Sequence, residues 1–527
     1  MDRKQFELAS WQGLPFFGAL ILYALMVLRF DFVCDDAFIS FRYARNFAHG
    51  AGLRYNLGVE PPVEGYSNFL WVLTMSLFEA VGADVAVASR LISVAFGASL
   101  LGMLMLFLYR RVHGSYWSAG MGAIFLASLP PFSVWSTGGL ETVPFAFLLF
   151  ATFERLLGDE HRPKGIQAGV LGLLCGLIRT DGAFYALLII GLALLTGILT
   201  RRKETLRATA EAAAILIAGM TLYVAWRYSY YGDYVSNTAR AKLSMSALSL
   251  QRGLRYAISF ILTFPSIAFV ILVSPWILRG ERRRLAWHAL GMVIGIFLAS
   301  ILVGGDFMSM GRLMVPALPF VTILFALVIC TVLGQPITWA RGMRAVGFTA
   351  AAIGLSILPA FNLHVVPKSA RERFHFRWNT PHHVSEYEHW QEMKRNAVLW
   401  TMLGKALARY THPGESLVFH GIGAVGYYSN LFIYDQYGLT SREVALRKVG
   451  ETPASAGHEK RVEPAFFVKH EPTYLLANVV LLRGAAQVFV EEEIDVEGHR
   501  YRTRLIPLSP QDGFPENAGL YLVQRDE

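Results

Sequence analysis

Long apolar runs separated by short polar turns fill the first two thirds of this chain and stop after Leu363. Runs of roughly 17–25 apolar residues, the length that crosses a bilayer's hydrocarbon core, recur between Pro15 and Phe361. They predict about eleven membrane-crossing helices, over 14–31, 85–108, 116–133, 140–157, 165–178, 182–199, 208–229, 254–277, 285–303, 313–333 and 345–363. A further apolar stretch, 66–81, is shorter and carries Asn68, Ser76 and Glu79, which suits a helix lying along the membrane surface. Beyond 363 the pattern becomes polar and partly alternating, and 416–420, 473–477 and 486–490 read as strands among helical text. The expected architecture is a mainly α polytopic membrane domain, 1–363, followed by an α/β domain, 364–527, large enough to bury its own core.

Composition sharpens this. The 527 residues are 54% hydrophobic and 17% charged, against roughly 25% charged in ordinary soluble domains. The formal charge of +9 is not the footprint of a nucleic-acid partner, because the cations sit in short loops between apolar runs. These are Arg110-Arg111, His161-Arg162-Pro163-Lys164, Arg201-Arg202-Lys203, Arg279 with Arg282-Arg283-Arg284, and Arg341 with Arg344. With a cytoplasmic N-terminus, and with 66–81 not crossing, all of them fall on the cytoplasmic side, as the positive-inside bias requires. If 66–81 crosses, Arg110-Arg111 and every later cluster move outside. Met1-Asp2-Arg3-Lys4 precedes a first span without a clear small-residue cleavage site, so that span reads as an anchor. The C-terminal domain then lies outside the cytoplasmic membrane.

The outer face collects the unusual polar residues. Asp35-Asp36 opens a segment with Phe38, Phe41, Arg42 and Arg45 at helical spacing. One carboxylate can take a proton from a sugar hydroxyl while the other orients it or holds a divalent cation such as Mg²⁺ or Mn²⁺. A solvated helix N-terminus, where Asp is favoured, is the alternative. In the turn-rich loop from Asn56 to Asn68, Glu64 and Asn68 can bond sugar hydroxyls and Tyr66 can stack; an ordinary surface turn explains it equally. Arg179-Thr180-Asp181, Asn237 with Arg240 and Lys242, and Gly304-Gly305-Asp306 with Arg312 offer forked or point cations for phosphate. Intramolecular Arg179–Asp181 and Asp306–Arg312 pairs are the structural alternatives. Arg42, Arg179, Asp181, Asn237, Arg240, Lys242, Asp306 and Arg312 therefore form the expected donor-phosphate set. Cys34, Cys175 and Cys330 have neither metal nor disulfide spacing and read as packing residues. The histidines, His382, His383 and His412 among them, show no ligand spacing and read as surface residues. There is no Walker-type glycine loop and no Gly-x-Ser-x-Gly elbow.

The run Asp35-Asp36-Ala37-Phe38-Ile39-Ser40-Phe41-Arg42-Tyr43-Ala44-Arg45-Asn46, followed by Glu64-Gly65-Tyr66-Ser67-Asn68-Phe69-Leu70-Trp71, resembles the opening of bacterial GT-C membrane glycosyltransferases. Among these it resembles the mycobacterial terminal arabinofuranosyltransferases and their relatives in other bacteria. Tyr231-Gly232 to Lys242, Gly304 to Met308, Gly311-Arg312 and Gly423-Ala424-Val425-Gly426-Tyr427-Tyr428-Ser429 are similar too. The resemblance implies a sugar donor carried on a polyprenyl phosphate, a cell-envelope glycan or glycoprotein acceptor, and no nucleotide at this step. It also implies a catalytic base at Asp35, with Asp36 as its partner, and interfacial helices in the first outer loop. Asp435-Gln436-Tyr437-Gly438-Leu439-Thr440 follows the family pattern only loosely, so the acceptor transfers least. A transporter or flippase of lipid-linked saccharides is the competing reading. It would place polar residues near the bilayer midplane on broken helices, whereas here they gather at one face. A catalytically silent assembly protein is a third.

Overall fold

A computed structural model of the chain describes residues 14–113, 116–159, 162–242, 246–277, 282–333, 339–449, 454–481, 491–510 and 513–526. Met1 to Lys4, His161, Arg279 and the expected strand 486–490 lie outside the described residues.

All eleven apolar stretches are helical. A helix satisfies its own backbone groups, which is what a segment in hydrocarbon must do. Among the described residues, six helices are long and apolar enough to cross a membrane, or up to eight when each bent pair counts as one span. The bends fall at proline. Ala119–Ser128 meets Pro130–Thr137 at 64°, and Ala247–Thr263 meets Pro265–Ser274 at 98°. Pro130 and Pro265 have no N–H to donate backwards, so each opens a new helix instead of extending the old one. Large apolar side chains such as Leu199, Leu222 and Leu272 remain exposed along these helices, a surface suited to lipid. The chain is a multi-pass membrane protein. The stretch at 66–81 forms Phe69–Ala80, about 18 Å long against a hydrocarbon core of about 30 Å.

Among the described residues the C-terminal part carries one six-stranded sheet. Its strands are β1 (Ser416–Phe419), β2 (Phe432–Asp435), β3 (Tyr474–Leu481), β4 (Glu493–Val496), β5 (His499–Pro507) and β6 (Ala518–Arg525), in the order β2-β1-β3-β6-β5-β4. β1 runs parallel to both β2 and β3, while the other pairings are antiparallel. The helix Ile422–Ser429 connects β1 to β2 and packs against the long helix Glu386–Tyr410. That long helix starts with a reciprocal cap: Ser385 Oγ accepts the Glu388 N–H at 3.1 Å, and Glu388 accepts the Ser385 N–H at 2.7 Å.

The segment that follows the helix Leu14–Arg29 is the seat of this domain. Its helix, Asp35–Ala48, points Arg42 at the carbonyls of Gly426 (2.9 Å) and Leu431 (2.7 Å), and Arg45 at that of Tyr427 (2.6 Å). Asn56 exchanges two hydrogen bonds with the Ile433 backbone, at 2.9 and 3.0 Å. The helix Ile422–Ser429 comes so close that a Cβ on Gly423 would lie 1.9 Å from the Asp35 carbonyl. On the far side, Arg377 forks onto Glu386 with both contacts at 2.9 Å, and Glu386 accepts the Met310 N–H at 2.6 Å. Arg252 and Glu459 form another buried pair at 2.7 Å. Charged groups removed from water persist only when paired in this way.

Candidate functional site

A cavity of about 630 Å³ opens where the membrane helices meet the C-terminal domain. Helices run to it from the basic turns: Gly165–Ile178 leads from Lys164 to Arg179, Gly182–Thr200 returns from Asp181 to Arg201, and Arg283–Leu302 leads from Arg282 to Val303. The cavity therefore lies at the end of the bundle opposite those basic turns. Cys34, buried and unpaired, sits at its edge, as do Asp35 and Asp36.

The two aspartates diverge. Consecutive helical positions point about 100° apart. The Asp35 carboxylate accepts the N–H groups of Gly423 (3.0 Å) and Ala424 (2.7 Å), at the positive end of Ile422–Ser429. Burial pushes its carboxyl up to about 7, with the Asp36 charge adding and the two amides opposing. Asp36 turns into the cavity, and its nearest cation is Lys242, 3.9 Å away. Asp35 has both oxygens occupied by backbone donors, and among the described residues no group of three or more His, Cys, Asp or Glu side chains is placed to hold a metal ion. The pair does not fit a shared divalent-cation site.

Of the expected phosphate set, Arg179, Asp181, Lys242, Asp306 and Arg312 line the cavity. Arg179 forks onto Asp181 at 2.9 and 2.7 Å and lies over the Phe145 ring, with its remaining Nη1 buried and unpartnered among the described residues. Arg312 Nε binds Asp306 at 2.7 Å. Burial works against the Asp306 charge, but Arg312 and Lys242 outweigh it and hold the carboxyl below the usual range. The ion pairs expected on structural grounds and the cavity lining are thus the same residues. Glu141 joins them, held by Asn68 Nδ2 at 2.7 Å.

Six expected residues are placed elsewhere, because each is consumed by an internal partner. Arg42 is the domain clamp described above, turned away from the cavity. Glu64 pairs with Arg227 at 2.9 Å, both buried. Tyr66 is buried edge-on against Tyr43, with its hydroxyl 3.0 Å from that of Tyr231. Asn68 stands behind Glu141 and accepts from Ser40 at 3.1 Å. Asn237 donates to the carbonyls of Gly438 and Leu439 at 2.7 and 2.9 Å, and Arg240 pairs with Asp233. The loop is thus an exposed turn through Leu57, Gly58, Glu60 and Pro61 and a buried brace at Glu64, Gly65, Tyr66 and Asn68.

The C-terminal domain supplies the groups that the sequence reading missed. Glu392, Asn396 and Trp400 come from Glu386–Tyr410, His420 follows β1, and Tyr437 follows β2. The last two sit beyond the carboxyl ends of parallel strands, where open α/β sheets place ligands. His458 also lines the cavity, beside Gly457, whose position a Cβ would bring to 3.4 Å from the Lys242 side chain. Burial, then nearby Lys242, lowers His458 to about 3, so it is neutral near pH 7. His382 and His412 are exposed as expected, but His389 is buried and His420 and His458 face the cavity. A usable signal did exist: Phe432-Ile433-Tyr434 before Asp435-Gln436-Tyr437-Gly438 is a short strand running into a turn.

Comparison with known proteins adds three findings. Residues 385–510 match the profile of a domain of unknown function, DUF8728. No curated protein matches the chain. ArnT from Cupriavidus metallidurans, in a crystal structure bound to undecaprenyl phosphate, is similar with a TM-score of 0.54 and 13% identity, over 83% of this chain and 88% of that one. Its apo state gives 0.49 and 14%, over 82% and 87%. At that identity the likeness concerns architecture alone: the chain has the GT-C fold seen in ArnT, a multi-pass helical bundle carrying a C-terminal domain with a small sheet.

Proposed function

We propose that the protein is a glycosyltransferase that moves a sugar from a polyprenyl-phosphate carrier to a cell-envelope glycan or glycoprotein. The observation that carries the reading is the meeting of Asp36 with Lys242, Arg179 and Arg312 in one cavity at the end of a lipid-facing bundle. Asp36 takes the proton of the acceptor hydroxyl as its oxygen bonds to the anomeric carbon. The bond from that carbon to the phosphate oxygen breaks, and the electron pair leaves with the phosphate. Lys242, Arg312 and the buried Nη1 edge of Arg179 stabilise the charge that grows there. Polyprenyl phosphate is a fair leaving group, so positioning and charge neutralisation supply most of the rate. Val303, which lines the cavity and stays partly exposed beside Leu302, offers the tail an apolar approach.

The membrane partner of ArnT in its crystal structure is undecaprenyl phosphate, the same class of carrier. The opening motif's resemblance to mycobacterial terminal arabinofuranosyltransferases makes arabinofuranose the first sugar to try. The basic turns at the end away from the cavity support a cytoplasmic N-terminus and an extracytoplasmic C-terminal domain. Polar lining gathered at one end favours an enzyme over a transporter, whose site would sit at mid-bilayer.

The test is purified full-length protein with synthetic polyprenyl-phosphate sugars, arabinofuranose first, followed by product release. Transfer by the wild type and its loss in Asp36→Asn is the expected result. Equal transfer by both would remove Asp36 from the reaction, and a reporter after Leu363 that reads cytoplasmic would overturn the orientation.

A further inference from the structure

The cavity's two walls differ in composition: charged groups of both signs, Asp35, Asp36, Glu141, Asp181 and Asp306 among them, line the membrane-domain side. The membrane-domain wall carries Arg179, Lys242 and Arg312; among the described residues that line it, the C-terminal domain contributes neither lysine nor arginine. In their place Glu392, Asn396 and Trp400 follow one another at four-residue spacing on Glu386–Tyr410. That spacing aligns them on one face, about 12 Å from first to last.

Trp400 is locked in place. A Cβ on Gly421 would stand over the indole, 2.8–2.9 Å from three of its ring atoms, so only glycine lets the ring lie on that backbone. The His420 ring meets it edge-on at 5.6 Å. Neither the indole N–H nor the Asn396 amide has a hydrogen-bond partner among the described residues. On the other side of His420, which meets Tyr437 at 6.2 Å, Tyr437 and His458 stack at 4.4 Å, and Phe307 meets His458 at 4.5 Å.

Flat aromatic faces beside an unpartnered amide and a half-exposed carboxylate match a sugar ring, which offers a C–H face and a hydroxyl rim. Glu392, 3.5 Å from His389, is the one carboxylate among the described residues that line this wall, and with neither lysine nor arginine beside it in the lining the wall disfavours anionic ligands. We propose that this wall is the acceptor subsite for an uncharged oligosaccharide, with Trp400 as the stacking platform and Asn396 and Glu392 as hydroxyl partners. The proposal rests on the glycosyltransferase reading for its purpose, but binding at this wall is measurable without any donor.

The experiment titrates full-length protein in nanodiscs with linear arabinan and xylan hexasaccharides as neutral probes and a galacturonan hexasaccharide as the anionic one, followed by saturation-transfer NMR and calorimetry. At least one neutral probe should bind and the galacturonan should not. Trp400→Ala should weaken binding about tenfold, the equivalent of losing one stacking face, and Trp400→Phe should recover part of it. In transfer assays Trp400→Ala should raise the acceptor KM by a similar factor while the donor KM moves less than about twofold. Equal binding of galacturonan, no binding of either neutral probe, or indifference to Trp400→Ala would each overturn the subsite. Binding that responds to Trp400 in a protein with no transfer from any lipid-linked sugar would keep the subsite and sink the glycosyltransferase reading. Transfer with an acceptor KM insensitive to Trp400 would do the reverse.

Discussion

Two acidic segments of the same loop have opposite fates. Asp36, at the start of Asp35–Ala48, faces an open cavity and has a cation no nearer than 3.9 Å. Glu64, Tyr66 and Asn68, a few turns later, are buried and fully engaged with Arg227, Tyr231 and Glu141. Both segments are conspicuous in an apolar chain, and rarity alone does not separate them. What separates them is the partner. A polar side chain whose bonds are completed inside the protein braces it, whereas one left incomplete at a cavity can receive a ligand.

The sharpest way to break that contrast is Asp36→Asn. Transfer should fall by about 100-fold to 10,000-fold, the range for removing a general base, with the melting temperature unchanged. An Asp36→Asn enzyme that keeps wild-type kcat would mean the open position carries no chemistry. Glu64→Gln should do the opposite. It leaves the buried Arg227 without its counter-charge and should cost roughly 2–3 kcal/mol of stability, somewhat below the usual penalty for breaking a buried pair because the amide keeps an acceptor. Transfer per folded molecule should stay near wild type, and calorimetry beside a specific-activity assay separates the two quantities.

The smallest effect sharpens the contrast within the aspartate pair. Burial raises the folded carboxyl of Asp35 to about 7, so between about pH 4 and pH 7 the folded chain holds a proton that the unfolded chain has released. Its stabilising contribution is therefore full at low pH and is lost as pH rises through 7. Wild type should lose stability relative to Asp35→Asn over that window, by no more than about 1.4 kcal/mol per pH unit. The opposite slope would mean that the Gly423 and Ala424 amides outweigh burial. Thermal unfolding of both proteins at several pH values decides it.

Much of the membrane architecture was legible because hydropathy is a local property: each of the eleven stretches carries its own apolar run and is a helix in the structure. The bends at Pro130 and Pro265 were also legible in principle, since proline cannot extend the helix before it. β1 and β3 could be read from short apolar runs. β5, where Arg500, Arg502 and Arg504 alternate with Tyr501, Thr503 and Leu505, and β6, with its short apolar run Leu520 to Val523, carry signals that the sequence reading missed. The site was half legible. Arg179, Lys242, Asp306 and Arg312 stand out as charges at the ends of apolar runs. Trp400 and His458 look like ordinary residues of a soluble domain until the fold turns them towards Asp36. Arg42 misled for the complementary reason: a guanidinium reads as a phosphate ligand, and nothing local reveals that carbonyls of a distant helix claim it.

The contact between Asp35 and Gly423 spans 388 positions of sequence. A ribosome therefore releases the aspartates long before it makes the residues that roof them over. Until the residues from His389 to His458 have emerged and docked, the nascent protein has five acids and three cations but no second wall. The pocket can assemble only once the chain has been made through His458, and no shorter chain can hold one.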